Sequence, residues 1–377
     1  MKRTAVLPAS TFAWPRIVLV LFWALLVAGC GDQAPLRIGF LGGLSGPHAA
    51  LGESGRNGLL LAVEERNAAG GIKGRRIELV LHDDMQQPDH AAAMAVQLIE
   101  SQVVAIVGPM TSSMATAVLP AIGQRDIPLI TPTASSTQLE GLDDSLFRIM
   151  SSDPVYAEQL AAYSYRERGV RRVAVVHEQA NAAYASSMVR AYAAALGKLG
   201  GTVVFSEAFT QNMRSDDPEL VGRALASQPD ALLFVGNTVD AVRIAQAARL
   251  RKPDIILLGD TVEETLVQLG GRNVEGYLAF LPYDRDSTVP QTQTFRQTYQ
   301  TRFNAQPGFG ATCAYEAAQV LFAAIEARQP GESLKTTLLR AGPYAGLQDK
   351  ITFDRFGDTH RQGVIVGVQD GQFRVLK

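Results

Sequence analysis

The chain has 377 residues, 47% of them apolar and 19% charged, with a formal charge of −2. That balance excludes a disordered or fibrous chain, and the length suits two domains of about 150 residues each. Taking Lys2, Arg3 and Arg16 from the 35 basic side chains leaves 32 against 37 acidic, a formal −5 beyond residue 29; so mildly acidic a chain argues against nucleic acid as a partner.

The N-terminus reads as an export signal. Three basic residues precede twelve uninterrupted apolar ones, IVLVLFWALLVA at 17–28. A bilayer-spanning helix needs about 20, a signal-peptide core about 7–15. Val27-Ala28-Gly29-Cys30 follows and resembles the lipobox of bacterial lipoproteins, which implies a signal peptide at 1–29, acylation of Cys30 and a lipidated tether at 30–35. Ordinary secretion with an incidental cysteine is the plainer alternative. The other cysteine, Cys313, lies in an apolar pattern and reads as a buried structural thiol; with Cys30 acylated, no intrachain disulfide is possible.

After the tether, residues 36–41 read as a strand and Gly42-Gly43-Leu44-Ser45-Gly46-Pro47 as a loop. Helical patterning covers 53–69 and stops at Gly70-Gly71. A strand at 76–82 and a helix opened by Pro88 and Asp89 lead into the stretch on which the reading turns. There VVAIV at 103–107 is a buried strand, Gly108-Pro109 a turn, and a helix starts near Thr111. A second apolar strand at 127–130 runs into Thr131-Pro132-Thr133-Ala134-Ser135-Ser136-Thr137. Two short β-branched runs around a helix-length segment make a parallel βαβ unit. Both strands end in hydroxyl-rich turns. Ligands of open α/β sheets sit outside the carboxyl ends of the strands, and the free N–H groups of a helix N-terminus favour an anion. The two hydroxyl clusters therefore predict a seat for a small carboxylate.

A second series follows. Asp153-Pro154 predicts a helix start with Asp153 as N-cap, and the helix runs to about 168. Strands at 172–176, 202–205, 231–235 and 255–258 alternate with helices at 181–199, 216–227 and 239–250. This predicts an α/β fold of two doubly wound parallel-sheet lobes facing across a cleft. The tail predicts a strand at 277–281 and helices at 290–303, 312–327 and 332–340. Antiparallel strands at 349–354, 364–368 and 373–376, joined by turns at Gly357 and Gly371, close the chain.

Several stretches align with a known family. Ser45-Gly46-Pro47, Gly52, Gly58, the turn from Asn67 to Gly74 and the Asp83-Asp84 pair resemble the opening of type I periplasmic binding proteins, particularly the branched-chain amino-acid (Leu/Ile/Val) group. Val107-Gly108 with Thr111-Ser112-Ser113, Ile130-Thr131-Pro132 with Ser135, Val175-Val176-His177 before Tyr184, and Ala314-Tyr315-Glu316-Ala317-Ala318 are similar too. The resemblance spans nearly all of the chain after the tether. It implies the substrate-binding protein of an ABC transporter, with two lobes joined by three hinge crossings that close on a ligand. The N-terminal lobe would comprise 36–152 and 282–346, the C-terminal lobe 153–281 and 347–377.

The same resemblance supplies site residues. Ser112 matches the position whose hydroxyl binds the ligand carboxylate; capping its own helix is the structural alternative. Thr133 and Ser135 match positions that meet the α-ammonium and the carboxylate, and their alternative is a self-satisfied turn. Tyr184 stands where the family has an aromatic contact. Asn237 replaces a frequent Tyr and better suits the N-cap of the following helix. Leu51 sits where an aromatic often covers the side-chain pocket. Thr261 falls where amino-acid binders carry the acid that pairs with the ammonium. A buried ammonium without a carboxylate is costly, so Asp260, one residue earlier, is the substitute, unless it only caps the next helix. The ligand is then an amino acid held by Asp260, or a carboxylate without an amino group.

Other chemistry is unsupported. Gly39-Phe40-Leu41-Gly42-Gly43 lacks the G-x-G-x-x-G spacing, and no phosphate loop or nucleophile elbow occurs. The five histidines show no metal-ligand spacing; His82-Asp83-Asp84 with Asp89-His90 suits a solvated strand end and helix cap better than a cation site. Ser112 or Ser135 as a hydrolase nucleophile has no histidine base near it in the sequence. The sequence thus predicts no enzyme, no cofactor and no metal, but a periplasmic or cell-surface lipoprotein. It would pass an amino acid or related carboxylate to an ABC permease in the inner membrane. The alternative is a non-transport regulator or sensor using the same fold to contact a cell-envelope protein.

Overall fold

A computed structural model describes residues 34–376 except 124 and 211–217, together with residues 1, 2, 4 and 5. The apolar run, Cys30 and most of the tether lie outside the described residues, as does the start of the helix expected at 216–227.

Two sheets organise the chain. Leu36–Gly42 (β1), Ile77–Asp83 (β2), Ile106–Val107 (β3), Leu129–Thr131 (β4) and Leu146–Arg148 (β5) form the first, in the order β2-β1-β3-β4-β5 and parallel throughout. The second begins with Arg172–Glu178 (β6), Thr202–Phe209 (β7), Ala231–Val235 (β8), Ile256–Gly259 (β9) and Leu278–Leu281 (β10), also parallel. Tyr344–Ala345 (β11) and Lys350–Ile351 (β12) pair with each other. Val364–Gln369 (β13) and Gln372–Val375 (β14) then add to the second sheet antiparallel, giving β14-β13-β10-β9-β8-β6-β7.

Helices flank both sheets. Ala49–Ala68 (α1), Pro88–Glu100 (α2) and Ser112–Ile122 (α3) accompany the first sheet. Asp153–Glu167 (α4), Ala182–Lys198 (α5), Pro218–Ala226 (α6), Thr238–Arg251 (α7) and Glu264–Gly270 (α8) accompany the second. Pro290–Phe303 (α9), Phe309–Ala327 (α10) and Leu334–Arg340 (α11) return to the first. Side chains of a strand alternate between faces. Phe40 therefore packs with Leu321 and Phe322 of α10, while its neighbour Leu41 packs with Met114 and Val118 of α3. Val173 and Val175 likewise face one core of the second sheet, and Ala174 and Val176 the other. Burial on both faces makes the strands continuous apolar runs.

The differences from expectation are local. The strand read at 103–107 narrows to two residues, and β5, three residues between polar turns, is too short to show a period. Ser152 rather than Asp153 is the N-cap of α4, and Asp153 is its first helical residue. The stretch at 349–354 does not pair with β13: β12 pairs with β11, because Ile351 and Phe353 bury in the core of the first sheet. The turn at Gly371 joins β13 to β14 as expected, whereas the Gly357 carbonyl accepts the Arg148 N–H at 2.9 Å. Asp83 accepts the N–H groups of Leu44 and Met85, so the acidic pair organises a loop. Among the described residues no cluster of three or more ligating side chains could hold a metal.

Candidate ligand-binding site

The carboxyl ends of the two sheets face each other across a cavity lined by residues of both, a concave space between lobes of the kind that holds small organic solutes. Leu51 on α1, Ser112 at the start of α3, and Thr133 and Ser135 after β4 line it from the first sheet. Tyr184 on α5, Asn237 after β8, and Asp260 and Thr261 after β9 line it from the second. All eight positions singled out in the sequence share this one space.

The hydroxyls differ in what they have left to give. Ser112 Oγ accepts the N–H groups of Ser135 and Ser136, each at 3.2 Å. A hydroxyl has two lone pairs and one proton, so this oxygen is committed as an acceptor and its proton remains to be donated. Thr111, not Ser112, is the N-cap of α3, which makes the serine the first helical residue. Thr133 instead donates its proton to the Met110 carbonyl, so its hydroxyl is already spent. Thr261 Oγ1 is likewise spent, donating to the Gly236 carbonyl at 2.9 Å. Asn237 behaves as a helix cap: its Oδ1 accepts the Asp240 N–H at 3.0 Å, while Nδ2 reaches Glu178 Oε2 at 3.0 Å.

Asp260 is one of three carboxylates lining the cavity, with Glu178 and Glu263. It accepts the Gly236 N–H at 3.3 Å. Burial pushes its carboxyl up to about 7, against the hydrogen bond from the Tyr184 hydroxyl and in concert with the charge of Glu178. Burial likewise raises Asp153, behind Ser135 and Ser187, to about 7, and Glu263 to about 8. The space around the cleft is thus rich in acids held partly protonated, a setting that a cation would relieve.

Sequence reasoning missed four residues that matter here. Glu263 accepts the Gly310 N–H at 2.8 Å and so joins the loop after β9 to the N-terminus of α10. Asn181 Oδ1 accepts the Ser113 N–H at 3.0 Å, and Ser113 Oγ accepts the Ala183 N–H at 3.1 Å, stitching α3 to α5 across the cleft. His48 and Glu178 meet between the two walls. No hydrogen bond joins His48 to Ser112 or Ser135 among the described residues, so no serine–histidine pair is assembled. Glu178 closes β6, and the other three lie three to six residues beyond a strand end, which was the only signal available.

The molecule is thus two α/β lobes with a cleft between the carboxyl ends of their sheets. The profile of a family described as periplasmic binding protein matches residues 35–372. The chain belongs to the periplasmic binding protein family. Its members bind solutes rather than transform them, in line with the expectation that the chain is no enzyme. This periplasmic binding protein is 28% identical over 336 residues to the Leu/Ile/Val-binding protein BraC3 of Rhizobium johnstonii, a match covering 88% of this chain and 90% of that one. Its fold is that of the branched-chain amino-acid transporter substrate-binding protein LivJ from Streptococcus pneumoniae in complex with isoleucine. The TM-score is 0.83 at 24% identity, over 91% of this chain and 99% of the other. A solute-binding protein of an R. palustris ABC transporter in complex with benzoate shares the fold at a TM-score of 0.81 and 20% identity, over 91% and 95% of the two chains. No helix among the described residues is long and apolar enough to cross a membrane.

Proposed function

We propose that this binding protein captures an amino acid in the cleft for an ABC importer, held to the membrane by a lipid on Cys30. The observation that carries the reading is Ser112: an oxygen already accepting two N–H groups, with its proton still to give, at a helix N-terminus and across the cavity from Asp260. A carboxylate fits the first wall, where hydroxyl, N–H groups and the helix dipole all favour negative charge. An ammonium fits Asp260, which stands in for the acid missing at Thr261. Leu51, Met110 and Phe309 give the solute's side chain an apolar wall. The Leu/Ile/Val-binding relatives support an amino acid. The Thr at 261 favours, as the second reading, a carboxylate without an amino group, such as the benzoate of the R. palustris neighbour.

The lobes we infer are 36–152 with 282 to about 353, and 153–281 with the C-terminal strands. The third crossing then lies between Phe353 and Val364, because Phe353 still packs in the first core. A hinge that closes over the solute excludes water and strengthens the polar contacts inside.

A thermal-shift screen of the standard L-amino acids, benzoate and 4-hydroxybenzoate tests the reading. Saturable stabilisation by an amino acid is expected. Stabilisation by the aromatic acids alone selects the second reading, and silence across the set removes both in favour of a non-transport regulator. For the anchor, the expected result is a full chain that partitions with membranes and a Cys30→Ser variant that does not.

A further inference from the structure

His48 and Glu178 stand on opposite walls of the cleft. His48 is the N-cap of α1, just past the end of β1, whereas Glu178 is the last residue of β6 in the other sheet. Their side chains are 6% and 3% exposed, and His48 Nε2 lies 3.0 Å from Glu178 Oε1. The second carboxylate oxygen accepts from Asn237 Nδ2 on the far wall at 3.0 Å. Glu178 is thereby fixed to one sheet and reaches for the other. Buried ion pairs are weak evidence of stability, since apolar replacements often serve as well. What distinguishes this pair is that its members come from the two halves of a cleft.

We propose that His48 and Glu178 are the closure pair of this protein, apart and hydrated when the cleft is open and in contact when it is shut, so that shutting takes up a proton at His48. The proposal rests on the reading of the cleft as a solute site that opens and closes.

The surroundings of the imidazole agree. Burial alone would strip its proton, but Glu178 on β6, Asp84 after β2 and Asp260 after β9 together hold it, and His48 titrates above its ordinary 6.5. Glu178 is held below its usual range by His48 and Asn237 in spite of burial. Below about pH 6.5 an open-form imidazole is already charged, and the attraction is fully available to the shut form. As pH rises the open form sheds the proton first, and the pair's contribution is lost once pH passes the raised value of the shut form. The carboxyls of Asp153, Asp260 and Glu263, also raised in this form, push in the same direction. Only the difference between wild type and a variant isolates the pair.

Small-angle X-ray scattering of the full chain gives the test. The radius of gyration is measured at about pH 6 and about pH 9, on either side of the histidine range, once without solute and once with millimolar L-leucine as probe. The wild type is expected to expand with pH in at least one arm. Glu178→Gln and His48→Gln are expected to expand less with pH than the wild type in that arm, with circular dichroism confirming the fold. If either variant fails to fold, Glu178→Asp, one methylene shorter, is expected to show the same reduced expansion. A wild-type radius indifferent to pH in both arms, or a response that Glu178→Gln retains in full, overturns the pair. A failure of leucine to change the radius at any pH counts against the solute reading instead, and the solute-free arm still decides the pair.

Discussion

Ser112 and Asp260 carry opposite ends of the proposed solute, and each can be removed alone. Ser112→Ala deletes a hydroxyl donor but also the acceptor for two buried N–H groups. A hydrogen bond to a charged group is worth about 1.5–3 kcal/mol, so affinity should fall about 10- to 150-fold, read by calorimetric titration with whichever amino acid the screen selects. Asp260→Asn keeps the shape and leaves an ammonium without a counter-charge; the expected loss is at least as large, and affinity for benzoate should not fall with it. A different expectation attaches to Glu316, whose two oxygens take the guanidinium of Arg361 at 2.6 and 3.1 Å, both residues being buried. Glu316→Gln strands that cation away from the cleft. Breaking a buried pair costs about 3–5 kcal/mol, and urea unfolding should show the loss with solute affinity retained by the folded fraction.

Helices and strands were legible where their period was long. The helix at Pro290–Phe303 and the strand at Ala231–Val235 have the bounds read from the sequence, since Pro opens the first and an unbroken apolar run makes the second. Three-residue β5 carries no period, and the partner of β12 was misread because two residues cannot reveal which edge they pair with. The site was legible for the same reason as the fold: strand ends in a doubly wound sheet converge, so Ser112 and Ser135 had to be neighbours. What the sequence could not show was which polar groups would be left over. Thr133 and Thr261 turn their hydroxyls to backbone carbonyls, and His48 finds a partner 130 positions away. At this scale a glycine makes the sharpest test. A Cβ on Gly58 of α1 would lie 2.1 Å from the Ala311 carbonyl of α10, with no flexible group to yield. Gly58→Ala must push the two helices apart, and overpacking of this kind costs about 1–3 kcal/mol or more. A lowered urea midpoint with an unchanged slope is the expected result.

Taken whole, the molecule concentrates acid where it expects a guest. Asp153 and Asp260 are raised to about 7 and Glu263 to about 8, burial being the leading cause for each. Raised carboxyls bind more protons in the folded chain than in the unfolded one, so stability falls as pH climbs from the ordinary carboxylate range of about 4 towards 8. An ammonium placed against Asp260 reverses this, because it supplies the charge that ionisation demands. An arenecarboxylate brings only further negative charge. The stabilisation given by a saturating amino acid should therefore grow between about pH 5 and pH 8, while that given by benzoate should stay level or shrink. In Asp260→Asn the growth should largely vanish, since the group whose ionisation the ammonium rewards is gone. Melting temperatures with and without each solute, taken across that range at constant ionic strength, measure both slopes. An amino-acid effect that declines with pH would place the ammonium away from Asp260 and move the search to Glu263, the other raised carboxyl in the cavity wall.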